Sequence, residues 1–501
     1  MRRVWTAALL LLACCSLGSQ GPQNAYDNSL VLAPLYVTYT TDNDMEFSRQ
    51  VRDLKANIGA GPGVLLGFSS FLHMSYPAKP MLDTLDTIVE RAKTHQIITH
   101  VSIVSGFFHD SNDLRTSAIQ QDVRNAQWFS DGWIAEPSLL DDASSVPSSV
   151  WITPSRYARP LRNRMEEGAR ILGSRIASLM AKNPDVLVSV SGDAEVEFSY
   201  ERNIEAGERH IARATPVYAD YSPFMVEEFR DWIRATRYAG DLSPATDDNH
   251  DGRTFNRDYK QSITTWKLRY YDGSGPIPFA TYLGFKEKLP SRGALFIEGG
   301  FDAPREEKSG DAYWLAWTQF RKQVIANYVR DFATWITTSP DAVSHRTVPA
   351  NRFYSHQIPA DFLFGDSNNV RVKTSASYVE TAVIAPIGST GVTVFNTFDG
   401  QNYKKTGTEK LFRMLSAHNW GILEYNPSVP IRDALEPSAD VEYYLAELRN
   451  LGRYHPHVIV PFAWTSEGNH NGYRIQGRPF QAALKRFVAG ERSSPPGVRN
   501  R

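Results

Sequence analysis

The sequence predicts an α/β fold of the (β/α)8 TIM-barrel class, with long insertions after strands 3 and 4. Eight short apolar runs recur along the chain, amphipathic helical stretches separate them, and no Gly-rich phosphate loop follows the first run, as an open doubly wound sheet would favour. The runs are 30–38, 64–68, 100–105, 186–191, 352–356, 392–396, 421–424 and 458–464. Each is apolar without strict alternation, the pattern of a strand covered on both faces.

The order of elements begins with an export signal over 1–21. Arg2 and Arg3 supply its positive region, and residues 4–13 form an apolar run too short to span a bilayer as a helix. Both cysteines, Cys14 and Cys15, fall inside this segment, so the mature chain has no internal disulfide. Leu11-Leu-Ala-Cys14 resembles a bacterial lipoprotein cleavage site, which leaves two readings open: ordinary secretion, or lipid anchoring through Cys14 at the cell envelope. The barrel is expected over 25–490, and the Ser-Ser-Pro-Pro-Gly stretch marks 491–501 as a disordered tail.

Helical period is plain between the strands. Leu161, Met165, Ala169, Leu172, Ile176 and Leu179 share a stripe, as do Trp317, Phe320, Val324, Tyr328, Phe332 and Trp335. Ser222-Pro223 opens a further helix with a capping serine and a proline at its first position, and Met225, Phe229 and Trp232 form its inner face. Two connections, about 107–159 and 239–311, are far longer than barrel loops need to be. Such excursions rise from the C-terminal face of barrel enzymes and wall the cleft there.

With 54 basic and 55 acidic residues the formal charge is −1, which leaves no electrostatic footprint for nucleic acid or an anionic membrane. A neutral substrate fits. The chain has no Gly-x-Ser-x-Gly elbow, no His-Glu-x-x-His and no P-loop, so esterase, zinc protease and nucleotide hydrolase chemistry lack their minimum parts.

Two carboxylates stand at strand ends: Glu195 in Ser191-Gly-Asp-Ala-Glu195, and Glu424 in Gly421-Ile-Leu-Glu424. Carboxyls brought to one mouth by separate strands are what cleavage of a glycosidic bond requires, with one protonating the leaving oxygen and the other attacking or activating water. Glu197 competes with Glu195 for the acid/base role, because it would share its side of an extended segment. A separation of roughly 5 Å would mean retention and 6.5–9.5 Å inversion. No cofactor is needed for either course. Asp193 and Tyr425 are placed to hydrogen-bond the carboxyls, and His356, Asn396 and His109 to orient a sugar; Gln357 and Asp110 adjoin them. Trp464 is the expected stacking platform, with Trp128, Trp133 and Trp151 as candidate walls from the first insertion.

Over about residues 30–465 this order of features resembles the clan A glycoside hydrolases, most closely the family 42 β-galactosidase type. The resemblance implies an acid/base glutamate after strand 4, a nucleophilic glutamate on strand 7 and a platform tryptophan at the end of strand 8, matching Glu195, Glu424 and Trp464 in this sequence. It implies a retaining exported β-glycosidase, β-galactosidase-like, acting on carbohydrate. Ala194 stands where the clan has asparagine, and Gly192-Asp-Ala-Glu195 is loosely similar to the acid motif of the inverting family 14 β-amylases. An inverting or endo-acting glucanase and a non-catalytic carbohydrate-binding surface protein are therefore the alternatives. Sugar identity, linkage and oligomeric state are not legible in the residues.

The second insertion carries oxygen donors with calcium-loop spacing: Asp247, Asn249, Asp251, the carbonyl of Arg253 and an acid at Asp258, with Gly252 at the turn. The other reading is an Asp/Asn/Gly-rich turn without metal. A structural Ca2+ here would raise the melting temperature on calcium addition and lower it with chelator; no change in either direction removes the site. Lipid anchoring predicts a mature N-terminus at a lipidated Cys14 by mass spectrometry, whereas an unmodified chain starting beyond Cys15 excludes it.

Overall fold

The computed structural model describes residues 26, 29–110, 125, 127, 155, 158–193, 200–201, 217–218, 220–236, 267–271, 276–278, 294–298, 312–357, 387–395, 408–426, 437–465 and 474–490. Eight parallel strands close into a barrel: β1 (Leu30–Leu32), β2 (Val64–Tyr76), β3 (Ile98–Asp110), β4 (Leu187–Gly192), β5 (Phe353–Gln357), β6 (Ser389–Phe395), β7 (Trp420–Asn426) and β8 (Val458–Pro461). β1 closes the ring through parallel pairing with both β2 and β8. The eight apolar runs are thus the eight barrel strands. Their limits differ most at β2 and β3, which continue past the barrel wall as a paired extension, and at β1, where regular pairing stops early and isolated bridges Leu35–Ser69 and Tyr36–Thr465 take over.

The helices between strands are α1 (Asp44–Asn57), α2 (Lys79–Thr94), α3 (Arg159–Lys182), α4 (Pro223–Thr236), α5 (Ala312–Thr337), α6 (Thr408–Leu415), α7 (Pro437–Gly452) and α8 (Pro479–Val488). α1 begins at Asn43, whose side chain accepts the Glu46 amide at 2.9 Å. α4 starts as the Ser-Pro signal indicates. Asp220 accepts the Ser222 amide and hydroxyl at 2.6 and 2.9 Å, and Ser155, from the first insertion, donates to the same carboxylate at 2.6 Å. The α5 stripe lies in the core, as do Ala169, Leu172, Ile176 and Leu179 of α3, with Met165 packed against it and Leu161 buried separately beside Ala158; at Gly173 an added Cβ would fall 2.4 Å from the Ile336 carbonyl, so glycine sets how closely these two helices approach.

Within the second insertion lies a three-stranded antiparallel sheet, with Lys267–Tyr271 between Pro276–Pro278 and Ala294–Glu298. The calcium-loop residues Asp247, Asn249, Asp251, Arg253 and Asp258, the export segment and the tail lie outside the described residues, as do Trp128, Trp133 and Trp151. Among the described residues no helix is long and apolar enough to cross a membrane.

Two hydrophobic clusters separate the faces of the barrel wall. Val31, Ala33, Leu35, Ile98, Val188, Tyr354, Leu423, Val458 and Val460 come from six strands and their immediate continuations and pack with Tyr26. Only the interior of a closed barrel can bring these together. A larger cluster joins the outward residues of the strands to the helices. Tyr26 plugs the N-terminal end of the interior, with its hydroxyl 2.7 Å from that of Tyr354.

Candidate active site

Moving along the strands toward their C-terminal ends, the interior changes from apolar to polar. Above Ile98 on the same face of β3 sits His100, whose Nδ1 lies 2.8 Å from Ser189 Oγ and whose Nε2 lies 3.0 Å from Ser191 Oγ. Above Tyr354 on β5 sits His356, with Nε2 2.6 Å from Thr393 Oγ1 on β6. Among the described residues, His356 Nδ1 and Ser69 Oγ are buried without a hydrogen-bond partner, the condition that ordered water or a ligand normally relieves. Burial holds the His100 imidazole down to about 3, with the nearby His356 adding to the effect, and burial holds His356 down to about 4. The floor of the mouth is therefore polar but carries neutral imidazoles.

Glu424 reaches this mouth through a register shift. On β7, Leu423 is an interior residue while Trp420, Ile422 and Tyr425 belong to the outer cluster. Strict alternation would turn Glu424 outward and Tyr425 inward. Instead β7 carries one extra residue against both neighbours: Val392 pairs with Ile422 but Thr393 with Glu424, and Ile459 pairs with Ile422 but Pro461 with Tyr425. That bulge lets Leu423 and Glu424 both face inward, beside the inward Thr393. Gly391 makes room for it, since a Cβ there would fall 2.1 Å from Leu423 Cδ1. Glu424 is partly exposed.

β4, which leads to Glu195, has the same irregularity against β3: Thr99 pairs with Leu187 and His100 with Ser189. The strand ends at Gly192, packed so closely that a Cβ would lie 2.7 Å from Phe332 of α5. One helical turn earlier, Tyr328 donates its hydroxyl to Asp193 at 2.8 Å. Asp193 is only 1% exposed. It ties the end of β4 to α5 rather than presenting a free carboxylate to the cleft. Glu195 and Glu197 lie outside the described residues, as does Asn396, immediately past β6.

Two of the sequence expectations are corrected. Trp464 is 0% exposed, packs on Phe68 with ring centroids 6.0 Å apart and donates its indole N–H to Gln50 of α1 at 2.9 Å. It faces the helices and has no ring face to offer a sugar. Tyr425 faces outward too, with its hydroxyl donated to Glu447 of α7 at 2.9 Å and its ring against Phe480. His356 does face the interior, at 2% exposure. Gln357 is buried and donates to Ser355 Oγ at 3.3 Å. His109 and Asp110 belong to β3 itself, paired with Ser75 and Tyr76 of β2, rather than following it.

Sequence reasoning missed Phe462 and Phe71. Both are partly exposed and pack on the interior cluster, Phe462 just past β8 and Phe71 within β2. The signal for Phe71 was present in the shared face of Leu65, Gly67, Ser69 and Phe71.

No protein-family profile and no curated protein sequence matches this chain. Among solved structures it is similar to a β-galactosidase from Rahnella sp. R3, with TM-score 0.51 and 10% identity over 92% of this chain and 56% of that one. It is also similar to the catalytic domain of a β-amylase from Paenibacillus polymyxa, with TM-score 0.47 and 10% identity over 93% of this chain and 99% of that one. A broad-specificity endoglucanase from an uncultured bacterium follows, with TM-score 0.39 and 9% identity over 93% and 95% of the two chains. At 10% identity the likeness to the β-galactosidase speaks for the fold alone, which agrees with the closed barrel.

The two imidazoles have a consequence for acid stability. Each is held below the unfolded value of 6.5, so folding favours the neutral form. Their contribution is fully present above about pH 6.5 and is lost as pH falls toward 4 and 3. From His356 alone this amounts to about 3 kcal/mol. Denaturant unfolding between pH 7.5 and 4.5 should show falling stability, with a shallower fall in His356→Asn; equal slopes in the two proteins would contradict the assignment.

Proposed function

We propose that this chain is a glycoside hydrolase that cleaves β-glycosidic bonds with retention, using Glu424 as nucleophile and Glu195 as acid/base. The observation that carries this reading is the bulge in β7, which turns a glutamate into the mouth of the barrel against the alternation of its strand. Active sites of such barrels lie at that face. β4, which leads to Glu195, stands three strands away around the ring, on the opposite side of the mouth.

In the first step a Glu424 carboxylate oxygen bonds to the anomeric carbon as the bond to the leaving oxygen breaks, and Glu195 gives that oxygen its proton. In the second, Glu195 takes a proton from water, the water oxygen bonds to the anomeric carbon, and the ester to Glu424 breaks. His356 and Asn396 are assigned to orient the sugar. The Asp193–Tyr328 bond supports the reading from behind, because it anchors the strand end from which Glu195 extends. The neutral overall charge suits an uncharged carbohydrate. Export, by secretion or by an anchor at Cys14, and a structural calcium ion in the second insertion belong to the same proposal. The β-galactosidase-like specificity follows from the resemblance of the sequence. An inverting course has its own support in the Gly-Asp-Ala-Glu stretch.

The test is a panel of aryl β-glycosides with wild type, Glu424→Gln, Glu195→Gln and Glu197→Gln. Loss of turnover by at least about a thousandfold in the first two, with unchanged melting temperatures, is the expected result. Proton NMR of the first-formed product should show the β-anomer. The α-anomer would establish inversion, and full activity in Glu195→Gln would move the acid/base role to Glu197.

A further inference from the structure

We propose that Phe462 and Phe71 form a stepped stacking surface for a carbohydrate chain, so that the substrate is held through two sugar units on the non-leaving side of the scissile bond. This rests on the glycosidase reading above and narrows its substrate to an oligosaccharide.

The step is defined by the backbone. The Phe462 amide donates to the Tyr425 carbonyl at 2.9 Å, which puts Phe462 laterally beside the end of β7 and next to Glu424. On its other side the chain continuing from β1 intervenes: the Leu35 amide donates to the Pro461 carbonyl at 2.9 Å, and Leu35 bridges to Ser69 of β2. Ser69 and Phe462 thus flank Leu35 at one level. Phe71 follows Ser69 by two residues on the same face, so it stands roughly 7 Å nearer the open end. Its strand is two strand spacings from that of Phe462, roughly 10 Å. His73, a further step up the same face, is exposed and contacts Phe71 at 6.4 Å between ring centroids.

Rings offset in this way do not sandwich one pyranose. They suit two units of a chain that descends toward Glu424, the inner one on Phe462 and the outer on Phe71. A sugar presents an apolar C–H face to which a phenyl ring offers area without a directional hydrogen bond, and burial of that face on a preformed ring is favourable. Trp464 cannot share the task, because its indole is locked to Gln50.

The experiment compares aryl β-glycosides of one sugar with the matching aryl glycosides of the β-linked disaccharide, in gluco, galacto, manno and xylo series, with the aryl leaving group held constant. Wild type should prefer the disaccharide glycoside by about tenfold or more in kcat/KM in its best series. Phe71→Ala should abolish that preference by costing the disaccharide glycoside more than the monosaccharide one, and Phe71→Trp should keep it. Phe462→Ala should weaken both substrates, and Phe462→Tyr should retain both. Equal wild-type rates, or a Phe71→Ala loss that is the same for both substrates, would overturn the proposal. If no member is hydrolysed, the hydrolase reading fails. Calorimetric binding of the free mono- and disaccharides then decides the stacking surface separately: it stands if the disaccharide binds more tightly and Phe71→Ala removes the difference, and falls if not. Melting temperatures of all variants serve as the folding control.

Discussion

Closure of an eight-stranded parallel sheet is the constraint on which the rest of the molecule depends. Once β1 pairs with both β2 and β8, no strand can shift without breaking a ladder, and each side chain is committed either to the barrel interior or to the helix layer. The only local freedom left is an extra residue in one strand. Both β4 and β7 use it, and in β7 the extra residue decides which of two adjacent side chains, Glu424 or Tyr425, enters the mouth. Tyr425 then becomes useful on the other face, where its hydroxyl joins Glu447 and its ring joins Phe480. β3 is also irregular against β2, beyond Val104, where the two strands leave the barrel wall.

The interior is divided along its length. Apolar side chains with Tyr26 fill the N-terminal part, and close packing there fixes the strands against which the polar upper part is arranged. Support from outside is equally specific. α5 places Phe332 against Gly192 and Tyr328 on Asp193, so two residues one helical turn apart fix the end of β4 in position and direction. Loss of either contact would act on the strand end rather than on substrate directly.

The fold was legible because strands buried on both faces are continuous apolar runs and the long helices keep their period over several turns. All eight runs proved to be barrel strands. Facing was not legible, and the site errors share that cause. Position at a strand end alone points Trp464 and Tyr425 to the cleft. Alternation would have agreed in both cases, since Val458, Val460, Phe462 and Trp464 share a parity, as do Gly421, Leu423 and Tyr425. In β7 a bulge reverses the parity; beyond β8 the ladder ends at Pro461, so that Ala463 also enters the interior cluster and Trp464 turns to α1. Bulges depend on the partner strands, which a single sequence does not display. Glu424 was chosen for its chemistry, and the bulge is what makes that choice compatible with its strand.

The neutrality of the mouth's floor bears on how a carboxylate there can act. A fixed cation beside Glu424 would stabilise its charge and weaken it as a nucleophile, whereas an isolated carboxylate in an apolar interior would take up a proton. Among the described residues, the floor contributes imidazoles that are neutral at neutral pH. Burial keeps His100 and His356 uncharged at neutral pH, and with Ser189, Ser191 and Thr393 they offer imidazole and hydroxyl dipoles. Dipoles of this kind can solvate a carboxylate without neutralising it. Two acidic groups with opposite protonation in one cleft is the electrostatic condition that retaining cleavage of an acetal imposes.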